Sequence, residues 1–132
     1  MIAQAQHSAL SVQRRSRHLL ARFASRALDE LKRQGVPLSP AICLSRQGER
    51  LRTVTPHPQA ERILDGLNRH RELIGLFHEV QLHVELLQRL RHPSLPFLGG
   101  TRFRIGLTSA GPMAFFENNH PSGATRVERV PV

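Results

Sequence analysis

The sequence predicts an α+β domain, in which helices cover one face of an antiparallel sheet. Two observations lead to this prediction. Apolar residues recur at three- and four-residue steps over residues 11–34 and 59–91, as they do in amphipathic helices. Apolar and polar residues alternate over much of residues 41–54 and 101–117, as they do in half-buried strands. The expected order is a long helix, a hairpin, a kinked or broken helix and a second hairpin.

A single domain is expected, because 132 residues suffice for one core and the sequence contains no internal repeat. It should span residues 1–132, with flexible ends at 1–10 and 119–132. No apolar run approaches the roughly 18 residues that cross a bilayer. The one cysteine excludes an internal disulfide and suits a reducing compartment.

The first helix is predicted over residues 11–34, with the sequence SVQRRSRHLLARFASRALDELKRQ. Seven apolar residues share one side of it, and they are Leu19, Leu20, Phe23, Ala24, Ala27, Leu28 and Leu31. Gly35 is a suitable left-handed cap, and Pro37 prevents the helix from continuing. This amphipathic helix is expected to dock through its apolar side.

A row of four arginines is expected nearly opposite that apolar side. Arg15, Arg22, Arg26 and Arg33 fall within about 40° of one another at 100° per residue. From the first to the last they rise about 27 Å along the helix axis, which is of the order of one turn of a nucleic-acid duplex. The competing interpretation is a solvated face, in which Asp29 pairs with two of the four.

A β-hairpin is predicted over residues 41–54, with its turn at Gly48. The helical pattern that follows runs from Gln59 to Arg91, and its apolar side moves by about 100° between its two halves. A kink or short break near Asn68–Arg71 explains that shift.

The later half of this helical segment is apolar on two sides. One side forms a seam of Leu73, Phe77, Val80, Val84 and Leu87. The other is a stripe at four-residue spacing, which consists of Leu82, Leu86 and Leu90. A helix of this kind is buried between layers, or is buried on one side and paired with a second subunit on the other. Both interpretations stay open, and the leucine stripe is the candidate interface.

A second hairpin is predicted near the end of the chain, after a loop at Pro96–Gly100. Its first strand is Thr101–Thr108, in which Phe103, Ile105 and Leu107 point inward. The outward residues of this strand are Arg102 and Arg104. The chain turns at residues 109–112 and returns over 113–117. The segment NNHPSG is a predicted loop, and residues 125–130 are either a short edge strand or a tail.

Positive charge is concentrated at the start of the chain. The net charge is +9, and residues 1–35 hold seven basic residues against Asp29 and Glu30. Such an asymmetry favours a binding face over uniformly distributed solubilising charge. Two further origins of the charge stay open. The first 28 residues have the composition of a transit peptide, and the excess of Arg over Lys is compatible with a bias in composition.

No catalytic, metal or cofactor site is expected. His78 and His83 are five residues apart, about 140° on a helix, which does not allow them to share one metal ion. Cys43 lies mid-strand, so a Cys43–His57 nucleophile pair is disfavoured against a small buried side chain. Gly99–Gly100 lacks the lysine and following helix of a phosphate loop. An enzymatic activity is therefore not expected.

The arginine row is expected to bind a nucleic-acid backbone, with DNA favoured over RNA. Arginine's planar fork matches phosphate oxygens, and Arg102 and Arg104 are expected to widen the footprint. The absence of Tyr and Trp disfavours stacking on single strands. The expected protein is a small bacterial regulator or accessory factor in the cytoplasm.

Three alternatives accompany this expectation. The leucine stripe favours a homodimer or a docked protein, with the arginines meeting an acidic partner or only keeping the chain in solution. A helix-turn-helix would place residues 72–91 in the major groove, which their acids and leucines disfavour. Binding of the first helix to an anionic membrane surface would require its leucines to be free of the core.

Overall fold

The computed structural model describes residues 2–94, 101–119 and 125–132, with side chains for 8–94, 101–118 and 127–132. It contains three helices and five strands within those ranges. The helices are α1 (Ile2–Gln34), α2 (Ala60–Asn68) and α3 (Arg71–Arg91). The strands are β1 (Ile42–Gln47), β2 (Arg50–Thr53), β3 (Thr101–Thr108), β4 (Gly111–Asn119) and β5 (Thr125–Arg129). The α+β prediction is confirmed.

Helix α1 begins well before the predicted stretch but ends where the sequence indicates. The Gly35 N–H donates to the Lys32 carbonyl over 3.0 Å, and the Val36 N–H donates to the Leu31 carbonyl over 2.9 Å. This pair of bonds is a Schellman cap, which requires a left-handed residue. Gly35 provides it with a φ of +72°.

The long helical segment is broken, as the shift of its apolar side predicts. Arg69 and His70 separate α2 from α3. Asn68, at the end of α2, accepts a hydrogen bond from the Leu51 N–H at 2.8 Å and donates to the Leu51 carbonyl at 3.1 Å. The Asn68 side chain thus satisfies the backbone N–H and carbonyl of Leu51 in the edge strand β2 and links α2 to that edge of the sheet. A Cβ at Gly66 would overlap the Gln34 amide, so a larger residue here would require the Gln34 side chain to move.

The strands form one antiparallel sheet in the order β2-β1-β3-β4-β5. Pairing of β1 with β3 joins the two predicted hairpins. Residues 125–129 form an edge strand paired with β4, so the prediction of an edge strand is confirmed and that of a tail is wrong. The predicted loop at Pro96–Gly100 lies outside the described residues. The predicted loop at residues 118–123 is wrong for its first two residues, because Asn118 and Asn119 pair with β5 and extend β4. Residues 120–123 lie outside the described residues.

The core lies between this sheet and a helix layer on one of its faces. Four phenylalanines from four elements cross it in contact: Phe23–Phe77, Phe77–Phe103 and Phe103–Phe116, with ring centroids 5.7, 5.6 and 5.4 Å apart. Edge-on and tilted pairs of this kind are the favoured aromatic geometries. The predicted inward residues of β3 and the apolar seam of α3 are all buried. Helix α1 packs along α3, so its outer side faces away from the sheet.

Candidate nucleic-acid interface

The arginine row of α1 runs along the flank of the helix rather than opposite its buried side. The buried residues are Ser16, Leu19, Leu20, Phe23, Ala24, Ala27, Glu30 and Leu31. At 100° per residue their centre lies about 110° from the row. Helix α3 lies beside this flank, where Glu72 contacts Arg26. The row therefore lies somewhat closer to the buried side than the sequence predicts, because Ser16 and Glu30 are buried together with the apolar residues.

The N-terminal half of α1 carries exposed arginines that have no partner among the described residues. Arg15 and Arg22 are exposed, and so are Arg14 and Arg17. None of the four forms an ion pair or a side-chain hydrogen bond with a residue that the structure describes. Helix α1 has no acid before Asp29. At 100° per residue these four residues spread over about 160° of the exposed side of α1. We call them the N-terminal Arg face, and it is available to an external anion.

The C-terminal half of the row is engaged within the fold. Arg26 Nη1 lies 3.3 Å from Glu72 Oε1, and both side chains are about half exposed. Arg33 holds Glu30 with two hydrogen bonds, from Nε at 2.7 Å and from Nη2 at 2.8 Å. Of the four arginines that the sequence places in one row, two therefore have carboxylate partners.

Glu30 is the centre of a charged cluster between α1 and the α2–α3 junction. Its side chain is 2% exposed, and its Oε1 lies 3.4 Å from His70 Nε2 and 3.7 Å from Arg69 Nη2. The hydrogen bonds from Arg33 outweigh the effect of burial and lower the pKa of Glu30 to about 2. The carboxylate is thus ionised at neutral pH and anchors the end of α1.

Asp29 does not have the role that the spacing predicts. Among the described residues, the carboxylates bound to Arg26 and Arg33 are Glu72 and Glu30. Asp29 is exposed, whereas the next residue is rotated by about 100° toward the junction. The spacing correctly predicts carboxylates near the row, but the partners are Glu30 and Glu72 and not Asp29.

Arg102 and Arg104 lie on a separate surface. They alternate with the buried Phe103 and Ile105, so they occupy the sheet face away from the helices. Arg102 is exposed, whereas Arg104 Nε lies 3.2 Å from Glu117 Oε2 and the Arg104 side chain is only 11% exposed. These two residues do not extend the footprint of α1.

The leucine stripe of α3 is partly exposed. Leu82 is 53% exposed and Leu86 is 43% exposed, whereas Leu90 is half-buried. The first two lie four residues apart on the solvent side of the helix, opposite its buried seam. They form a small apolar patch.

The histidines that the structure describes and the cysteine show no reactive arrangement. Burial raises the pKa of the Cys43 thiol to about 11, which keeps it protonated at neutral pH. His57 Nδ1 accepts a hydrogen bond from the Gln59 N–H at 3.0 Å and none from Cys43. No group of three or more His, Cys, Asp or Glu in the described ranges could hold a metal ion. No helix of those ranges is long and apolar enough to cross a membrane.

Comparison with protein-family models, curated proteins and solved structures finds no match.

Proposed function

We propose that this protein binds the phosphate backbone of duplex nucleic acid, DNA in preference to RNA, through the N-terminal Arg face. The observation that carries the proposal is the exposure of four arginines within nine residues of one docked helix, without internal partners in the described chain. Guanidinium groups form bidentate contacts with phosphate oxygens, and a row of them imposes strong salt dependence on binding.

The footprint is shorter than the sequence suggests. From Arg14 to Arg22 the helix rises about 12 Å, which corresponds to roughly three or four base-pair steps of duplex. Arg26 and Arg33 would extend it only by giving up their carboxylate partners. The proposed interaction is therefore a backbone contact with a few phosphates, which suits a cytoplasmic regulator or accessory factor without strong sequence preference.

The aromatic residues support duplex over single-stranded nucleic acid. Stacking platforms need exposed rings, and every phenylalanine that the structure describes is at most 9% exposed. Recognition by α3 in a major groove has little support, since its outer side carries Leu82 and Leu86.

The test is fluorescence anisotropy of a labelled random-sequence duplex between about 50 and 200 mM salt. Combined Arg15→Glu and Arg22→Glu should lower the affinity at least about tenfold and reduce the log–log salt slope by about two. The matched control is combined Arg50→Glu and Arg129→Glu, which removes the same charge from exposed sites on the two edge strands. An affinity that does not depend on salt, or equal losses in both double variants, would contradict the proposal.

A second candidate function is self-association through the apolar patch of α3. The exposure of Leu82 and Leu86 favours it, because the two side chains form a contiguous apolar patch that a second copy would remove from water. Leu86→Glu should lower the molar mass measured by light scattering if the patch joins two copies. Leu10→Glu is the matched control, since Leu10 is 52% exposed on α1. A monomeric wild-type protein would eliminate this candidate.

A further inference from the structure

The sheet is split between β1 and β3. Their ladder has three pairs and stops at Leu44↔Ile105. Beyond it, β1 continues to Gln47 and remains paired with β2, while β3 remains paired with β4 back to Thr101. The two hairpins therefore diverge at this end and leave a cleft between neighbouring strands.

The cleft, which we call the split-sheet cleft, has a volume of about 440 Å³. This lies in the range of about 300–1,000 Å³ that is usual for small-molecule sites. Four arginines line it, and they are Arg46, Arg52, Arg102 and Arg104. Its other polar lining residues are Ser45, Gln47, Thr53, Gln81 and Thr101. No acidic side chain is among its described lining residues.

The four guanidiniums have few internal partners. Arg52 and Arg102 are exposed and form no ion pair with a described residue. Arg104 is paired with Glu117. Arg46 donates from Nη1 to the Gly48 carbonyl at 2.7 Å, but its Nε–H is buried without a hydrogen-bond partner. Arg46 alternates with Ser45 along β1 and lies on the helix side of the sheet. Arg52 and Arg102 are therefore the two lining guanidiniums that carry no ion pair with a described residue and can meet an external anion.

From these observations we propose that the split-sheet cleft binds the phosphate group of a nucleotide-sized ligand. Arg52 and Arg102 would contact its oxygens from the two sides of the split, because each belongs to a different hairpin. Phosphate fits better than a single carboxylate, since three oxygens and two charges match several guanidinium forks. The group belongs to a free nucleotide or to the 5′ end of a nucleic-acid strand, and both offer the same chemistry.

This site is independent of the N-terminal Arg face, because it lies in the sheet and α1 contributes none of its described lining. Isothermal titration calorimetry tests it with three probes: ATP, a 5′-phosphorylated hexanucleotide and the same hexanucleotide with a 5′-hydroxyl. ATP or the phosphorylated strand should bind saturably, and combined Arg52→Gln and Arg102→Gln should weaken that binding at least about tenfold. Which of the two probes binds identifies the source of the phosphate.

Two controls make the result specific. Combined Arg50→Gln and Arg129→Gln removes the same charge from residues outside the cleft and should leave binding within about twofold. Combined Arg15→Gln and Arg22→Gln should also leave it unchanged, even if duplex binding is lost. Failure of both phosphorylated probes to bind, equal binding of the 5′-hydroxyl strand, or equal losses in the cleft and control variants would overturn the proposal.

Discussion

The two halves of α1 carry the same residue type on the same flank and use it differently. In the N-terminal half, Arg15 and Arg22 face solvent without partners among the described residues. In the C-terminal half, Arg26 and Arg33 bind carboxylates. The buried polar groups differ in the same way: Ser16 Oγ has no hydrogen-bond partner in the described structure, whereas Glu30 has several.

The difference comes from what packs beside each half. The C-terminal half meets the α2–α3 junction, which supplies Glu72, Arg69 and His70. The buried Glu30 carboxylate needs nearby cations, so Arg33 stabilises the fold by pairing with it. The N-terminal half has no such requirement, and its arginines remain available for a ligand. An arginine row is thus not a uniform surface even when its spacing is regular.

The largest effect on stability is expected at Glu30. Replacement by Gln removes the charge that holds Arg33, Arg69 and His70 together and should lower the free energy of unfolding by about 2–3 kcal/mol at pH 7. Asp29→Asn is the matched control, because Asp29 is the adjacent exposed acid and should change stability by less than about 0.5 kcal/mol. Urea denaturation measures both variants. Equal effects at the two positions would contradict the role given to Glu30.

The contribution of Glu30 should disappear in acid. Because the pKa of this carboxyl is lowered to about 2 in the folded chain, the unfolded chain binds its proton first as the pH falls. The stabilisation is therefore complete above the ordinary pKa of 4.5 and is lost progressively between there and about 2. The stability gap between the wild type and Glu30→Gln should close over this window, as a series of urea titrations would detect. A gap that stays constant down to pH 3 would contradict this assignment.

A smaller effect of opposite sign is expected at Ser16. Its hydroxyl is fully buried without a partner in the described chain, and alanine has the higher helix propensity. Ser16→Ala should raise the free energy of unfolding by about 1 kcal/mol. Ser25→Ala, at an exposed position of the same helix, should gain only the propensity difference of a few tenths of a kcal/mol. Destabilisation by Ser16→Ala would indicate that the hydroxyl is bonded.

The elements of the fold follow from local pattern, whereas their arrangement does not. The break at Arg69–His70 and the bounds of β3 are predicted by hydrophobic periodicity, and the helix end is predicted by Gly35. Each of these features is determined by residues close together in the sequence. The pairing of β1 with β3, and the end of that pairing at Leu44, depend on segments about 60 residues apart. The row of four phenylalanines is equally hidden, since each belongs to a different element.

The candidate site is predictable only in part for the same reason. Spacing places four arginines on one flank of α1, but the partners of Arg26 and Arg33 depend on where α3 and the junction pack. One signal was present. Glu30 precedes Arg33 by three residues, a favourable order for an ion pair, and it lies beside the apolar stripe. Nothing in the sequence indicated that Arg46, Arg52 and Arg102 line one cleft.

The most direct test compares two double variants that each remove two positive charges from α1. Duplex affinity and thermal unfolding are measured for Arg15→Gln with Arg22→Gln and for Arg26→Gln with Arg33→Gln. The first pair should lose at least about tenfold in affinity with little change in Tm. The second should lower Tm by several degrees and change affinity less than about threefold. Equal losses of affinity in the two pairs, or a loss confined to the second, would contradict the division of α1 into a binding half and a structural half.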